Sequence, residues 1–168
     1  MALPFARAKC RRTPMITLRG GCQCGRHRYT VRLDRPEGYF CHCRMCQRAF
    51  GNVFATFINA RVADVTWDTV EPEWYASSRI ARRGFCAGCG TPLAFHYADS
   101  TRMDLSVGSL DDPAAIQPTE QTGVEGRLHA WAFPGVLPES RLDDDAKLLE
   151  RWQAAYGPGS SPGFDSAK

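Results

Sequence analysis

Gly20-Gly21-Cys22-Gln23-Cys24-Gly25, Cys41-His42-Cys43-Arg44-Met45-Cys46 and Cys86-Ala87-Gly88-Cys89-Gly90 hold seven of the eight cysteines of this 168-residue chain. Glycine lets a backbone fold sharply enough for closely spaced sulfurs to reach one point. One such cluster is ordinarily two buried, inert thiols. Three in one chain point instead to metal. No apolar secretory core precedes them, so the compartment expected is reducing and cytoplasmic, where close cysteine pairs favour metal over disulfides.

Seven sulfurs divide into four and three. Cys22, Cys24, Cys86 and Cys89 form two pairs far apart in sequence, the layout of a structural clip with four closed ligands. Cys41, Cys43 and Cys46 lie within six residues and leave a fourth position open for water or substrate. The candidates for a protein ligand there are Cys10, His42, His96 and His129. His42, between two proposed ligands in an extended turn, should point away, and His96 and His129 read as ordinary strand residues. Zinc is the metal expected, two ions per chain. A rubredoxin-like iron site would need four sulfurs at the second group.

Working outward, the rest of the chain reads as many short strands divided by turns. Tyr29, Val31 and Leu33 alternate with polar neighbours, the period of a half-buried strand. Further strands are expected at Val53–Ile58, Val62–Trp67, Glu73–Tyr75, Ile80–Phe85, Leu93–Tyr97, Met103–Val107 and Arg127–Trp131. Asp111-Asp112-Pro113 and Phe133-Pro134-Gly135 supply turn chemistry. One helix is expected over residues 143–156, capped by Asp143 to Asp145, with Leu148, Trp152, Ala155 and Tyr156 on one face and Gly157-Pro158 ending it. Residues 1–16, arginine-rich and acid-free, read as a disordered basic lead-in, and the Gly-, Ser- and Pro-rich residues 157–168 as a disordered tail. The zinc-binding β domain would then occupy residues 17–142.

Composition bounds the partners. Hydrophobic residues at 43% and charged residues at 23% are ordinary for a globular domain. No run of 18 apolar residues occurs, so no membrane-spanning helix is expected. Seven thiolates and two zinc ions would bring the formal charge of +3 to zero. A loaded protein would lack the net basic field that drives nucleic-acid binding.

The three clusters in this order, continued by Arg83-Gly84-Phe85-Cys86-x-x-Cys89-Gly90-Thr91-Pro92-Leu93 and Val107-Gly108-Ser109-Leu110-Asp111-Asp112-Pro113, resemble the glutathione-dependent formaldehyde-activating enzyme and centromere protein V family. The likeness runs from about Thr17 to Asp145. It implies a mainly β, Mss4-like fold of small curved antiparallel sheets around zinc sites, with one C-terminal helix added here. It also implies that Cys22, Cys24, Cys86 and Cys89 hold structural zinc, and that Cys41, Cys43 and Cys46 hold the active-site zinc. The chemistry implied is a carbon–sulfur lyase reaction that forms or cleaves S-hydroxymethylglutathione from glutathione and formaldehyde.

The thiolate is the nucleophile in such a reaction, and a donor must stabilise the developing alkoxide. His42 is one candidate donor, while Arg44 and Arg48 are candidates for pairing with glutathione carboxylates through their planar forks. Two other functions compete with the lyase. One is a non-catalytic zinc module that binds protein or nucleic acid, which has no need of an open coordination position. The other is a thiol redox protein, which would need a reactive cysteine outside the clusters, and Cys10 alone is available.

Overall fold

The computed structural model describes residues 15–131 and 138–162. Cys10, most of the basic lead-in, the Phe133-Pro134-Gly135 turn and residues 163–168 lie outside them. The described strands are β1 (Ile16–Gly21), β2 (Arg28–Leu33), β3 (Glu37–Cys41), β4 (Ala55–Arg61), β5 (Val65–Trp67), β6 (Glu73–Ala76), β7 (Ala81–Phe85), β8 (Pro92–Tyr97), β9 (Arg102–Ser106), β10 (Gln117–Thr122) and β11 (Glu139–Ser140). Two α-helices accompany them, α1 (Arg44–Phe50) and α2 (Ala146–Tyr156).

The strands form two sheets, one ordered β1-β2-β5 and one ordered β11-β10-β3-β4-β9-β8-β7-β6. Apolar residues fill the space between them. Tyr29, Val31 and Leu33 of β2 point inward as their alternation predicts, and meet Ile58, Leu93, Met103 and Leu105 of the larger sheet. Each such side chain contributes roughly 1.5–3 kcal/mol by leaving water.

The register of the larger sheet separates its two faces. Gly84, Ala94, Leu105 and Ile58 pair across β7, β8, β9 and β4, with the last three buried in the core between the sheets. Side chains alternate along a strand, so the next row belongs to the opposite face. It runs Tyr75, Arg83, Phe95, Asp104, Asn59 across β6, β7, β8, β9 and β4. Cys41 and Tyr39, two residues apart on β3, share one face of that strand, with Tyr39 opposite Phe57 of β4.

The mainly β architecture agrees with the sequence, but several elements differ. A second helix, α1, begins at Arg44, so Cys46 sits on a helix and not on a glycine-bearing turn. The larger sheet is not wholly antiparallel, because β10 runs parallel to both β3 and β11. Residues 127–131 are not a strand: a 3-10 turn covers His129–Trp131. The run expected as one strand from Val62 splits into a 3-10 turn, Val62–Asp64, and β5. Helix α2 starts at Ala146, with Asp145 as its cap and Asp143 and Asp144 in a preceding 3-10 turn. Residues 157–162, expected as disordered tail, are placed against the domain: Ser161 donates to Asp143, and Pro162 is buried.

Candidate active site and metal centres

The turn that follows β1 carries Cys22 and Cys24, and the β7–β8 hairpin carries Cys86 and Cys89. Gly25 and Gly90 close these turns at φ of 79° and 77°, conformations that favour glycine. The four sulfurs lie within 4.8 Å of one another, with Cys22 and Cys24 at 3.5 Å and Cys24 and Cys86 at 3.7 Å. Four sulfurs about 2.3 Å from a tetrahedral zinc stand about 3.8 Å apart, so this donor set fits that ion. Backbone support is present too, since the His27 amide donates to Cys22 Sγ at 3.3 Å. His27 itself is fully buried, with Nδ1 3.0 Å from the Val70 carbonyl oxygen and Nε2 3.1 Å from Glu73 Oε2. Glu73 also accepts from the Ala87 amide at 3.1 Å, so one carboxylate ties the first cysteine turn to the second.

Cys41, Cys43 and Cys46 form the second group, again with sulfurs within 4.8 Å. Cys41 ends β3. Cys43 is the N-cap of α1, where its sulfur takes the place of the usual oxygen and accepts from the Cys46 amide at 3.4 Å. Three thiols converging, with no fourth sulfur among the described residues, fit a metal that keeps a further ligand position. The Cys46 thiol is hydrogen-bonded to Cys41 and to Cys43. These bonds, and the Arg83 guanidinium whose Nη2 donates to Cys46 Sγ at 3.2 Å, hold Cys46 well below the ordinary thiol range. Hydrogen bonds to Cys43 and Cys46 push Cys41 up, and Arg83 stands as a buried cation beside Cys46.

The two groups differ in what they face. A cavity of about 410 Å³ is lined by Cys41, Cys43 and Cys46 and by none of the other four cysteines. Its floor is the polar row of the large sheet, including Tyr39, Asn59, Arg83, Phe95 and Asp104. Its far wall is mostly apolar and comes from Leu142, from Leu148 and Trp152 of α2, and from Pro162, with Asp145 among them.

Three residues expected near substrate stand elsewhere. His42 is buried but turned away from the sulfurs, donating from Nε2 to Gln121 Oε1 at 3.0 Å and lying edge-on to Phe54. Burial lowers its pKa. Arg44 donates to Gln47 Oε1 at 3.0 Å, and Arg48 is exposed; neither lines the cavity. Of the other ligand candidates, His96 has Nε2 3.0 Å from the Ser100 carbonyl oxygen, and His129 sits in a 3-10 turn.

Sequence reasoning missed the residues that hold the three-cysteine segment in place. Gln47 is 2% exposed and donates through Nε2 to the carbonyl oxygens of His42 and Gly126, both at 2.8 Å. The loop after β10 packs so closely that a Cβ on Gly126 would lie 2.6 Å from the His42 carbonyl oxygen. Sequence reasoning also gave no role to Arg83 or Asp104, although Arg83 belongs to the Arg-Gly-Phe-Cys run.

Residues 17–125 match the family model described as glutathione-dependent formaldehyde-activating enzyme. A protein of Schizosaccharomyces pombe named an uncharacterized lyase is 31% identical over 80 residues, which is 48% of this chain. The aligned part spans 58% of that relative's length. A crystal structure of a Rhodobacter sphaeroides protein superposes with a TM-score of 0.46 at 19% identity, over 73% of this chain and all of that one. The family match takes in all seven clustered cysteines and the strands that present them, and the chain belongs to the family of glutathione-dependent formaldehyde-activating enzymes.

Proposed function

We propose that this protein is a zinc-dependent carbon–sulfur lyase that joins a thiol to an aldehyde, with glutathione and formaldehyde as the reference substrates, or cleaves the adduct. The observation that carries the reading is the contrast between the two cysteine groups. Four sulfurs close one site, whereas three sulfurs stand in the wall of a cavity large enough for a small thiol. The lyase name borne by the yeast relative and the family match support the same reaction class.

Cys22, Cys24, Cys86 and Cys89 would hold a structural ion, and Cys41, Cys43 and Cys46 the ion at the cavity. Bound there, zinc would supply a cationic centre that lowers the pKa of an incoming thiol. The protein's own groups do the rest. Cys43 and Cys46 are fixed by the first turn of α1, and Gln47 clamps that turn to the loop after β10. Arg83 offsets the charge of Cys46 from within the sheet face, stacked on Phe95 at 4.8 Å. Leu148 and Trp152 exclude water from the far side of the cavity. The aldehyde carbon then meets sulfur in a confined space where a hydrogen-bond donor is worth more than in bulk water.

Cobalt in place of zinc reports its ligand set through its visible bands. Titrating glutathione into cobalt-loaded protein should give a saturable change that S-methylglutathione does not produce. Protein holding two cobalt ions whose bands stay constant throughout would show a second site closed to thiols, and would overturn the lyase reading in favour of a non-catalytic zinc module.

A further inference from the structure

Asp104 lies at the centre of the cavity floor, on β9 between Asn59 of β4 and Phe95 of β8. It is 7% exposed, and among the described residues no cation stands within ion-pair distance of it. The neighbouring guanidinium on its own strand, Arg102, spends Nε on Asn59 Oδ1 and Nη2 on the Asn59 carbonyl oxygen. Asp104 instead accepts from Asn59 Nδ2 at 2.7 Å, and the nearby Tyr39 hydroxyl also favours its anion. A carboxyl buried without an ion-pair partner is costly, and one built into the wall of a reaction cavity is a candidate for acid–base work.

We infer that Asp104 shuttles the proton of the adduct-forming reaction, taking it from the thiol and giving it to the new hydroxyl oxygen. This rests on the lyase reading above. In the forward direction the Asp104 carboxylate accepts the S–H proton. The sulfur electron pair then forms the S–C bond, and the C=O π pair moves onto oxygen. The Asp104 carboxylic acid returns the proton to that oxygen, which leaves the carboxylate restored and no net proton released. Cleavage runs the same transfers backwards.

The surroundings suit the task. Burial pushes the carboxyl up to about 6, against the Asn59 and Tyr39 hydrogen bonds that favour its anion. A shuttle is most effective when its pKa lies near the working pH, because both of its forms are then available. The groups facing it are Tyr39 from β3, Asn59 from β4, Phe95 and Tyr97 from β8, Arg102 from β9 and Cys46 from α1. Of these, Asn59 donates to it directly. His42 is committed to Gln121 and does not line the cavity, while of the other carboxylates on the lining Glu120 is exposed and Asp145 accepts from the Leu148 amide at the start of α2.

The test uses Asp104→Asn in metal-loaded protein. Exchange between free formaldehyde with glutathione and their adduct is followed by magnetisation-transfer NMR from pH 5 to pH 9, above the uncatalysed rate. The exchange rate should fall about 100-fold, the usual scale for losing a general acid–base group. The inflection near pH 6 should disappear, and so should the infrared band of a protonated carboxyl seen in the parent protein below that pH. The cobalt response to glutathione should be unchanged. A variant that exchanges at the parent rate with the parent pH profile would make Asp104 structural and overturn the shuttle. A parent protein whose cobalt bands ignore glutathione would instead overturn the lyase reading, and the shuttle with it. If Asp104→Asn does not fold, Tyr39→Phe decides. Loss of that donor should move the inflection to higher pH, and an inflection that stays in place overturns the proposal.

Discussion

A carboxylate at residue 104 is a thermodynamic burden whenever it is ionised, and the sign of that burden can be worked out. Its folded-state pKa, about 6, lies above the ordinary 3.8, so the folded protein holds the proton more tightly than the unfolded chain does. The associated stability is therefore complete below the unfolded value and is lost as pH rises through about 6. The gap between the two values is worth about 3 kcal/mol at most. Asn in place of Asp104 keeps the Asn59 hydrogen bond through its oxygen, and its amide can donate to the Tyr39 oxygen. Asp104→Asn should accordingly melt at a higher temperature than the parent at pH 8, and the advantage should shrink towards pH 5. Paired thermal melts at the two pH values check this, and a variant less stable at pH 8 would show that the carboxylate supports the fold. Neither Asp104 nor Arg83 was legible from the sequence as part of the site. Their meeting depends on register across β4, β7, β8 and β9, which no local spacing encodes. The cysteines were legible because their spacing is local. Arg44 and Arg48 are adjacent to them in sequence, but a helix turns about 100° per residue and carries adjacent side chains to other faces.

At the scale of elements, α1 and α2 make opposite lessons. Helix α2 was readable, since Asp145 accepts from the Leu148 amide at 3.0 Å and Leu148 and Trp152, four residues apart, are the two residues it buries. Helix α1 was not. It has seven residues, no acidic residue in its first turn and a sulfur for a cap, so Cys43-x-x-Cys46 looked like another turn. Strand β10 escaped notice because Gln117–Thr122 is polar and mostly exposed, held by its pairing with β3 and β11 and not by apolar alternation. Helix α2 packs by few residues, and Trp152 is the largest of them, 4% exposed and stacked on Tyr156 at 4.5 Å. Truncating a buried Trp typically costs about 3–5 kcal/mol. A peripheral helix can escape part of that cost by undocking locally. Trp152→Ala should therefore leave the main melting transition within a few degrees of the parent while exposing residues 142–162 to protease. Limited proteolysis followed by mass spectrometry checks this, and a protected α2 alongside a much lower melting temperature would show that the helix is integral to the core.

For the whole molecule, the two cysteine groups bear on different joins. Cys22 and Cys24 follow β1 of the small sheet, while Cys86 and Cys89 join two strands of the large one, so a metal held there fastens the sheets together. Cys41, Cys43 and Cys46 all lie between the end of β3 and the first turn of α1, so a metal there fastens only a local corner. Binding to a site that forms only in the folded chain adds its free energy to folding. Ions bound at the two groups should consequently leave in sequence under a chelator. The first should come from the group lining the cavity with the far-UV circular dichroism unchanged, and the second should come with cooperative unfolding. Single substitutions should separate the same events. Cys43→Ser should retain one metal per chain and most of its thermal stability. Cys86→Ser should lose stability by several kcal/mol, since metal binding to small structural zinc sites is worth on the order of 10 kcal/mol and only part of that depends on one ligand. Metal content by atomic absorption and melting temperature, measured on both variants, decide the matter. If Cys43→Ser proved the more destabilised of the two, the three-cysteine group would be the structural clip and the division of roles between the sites would have to be reversed.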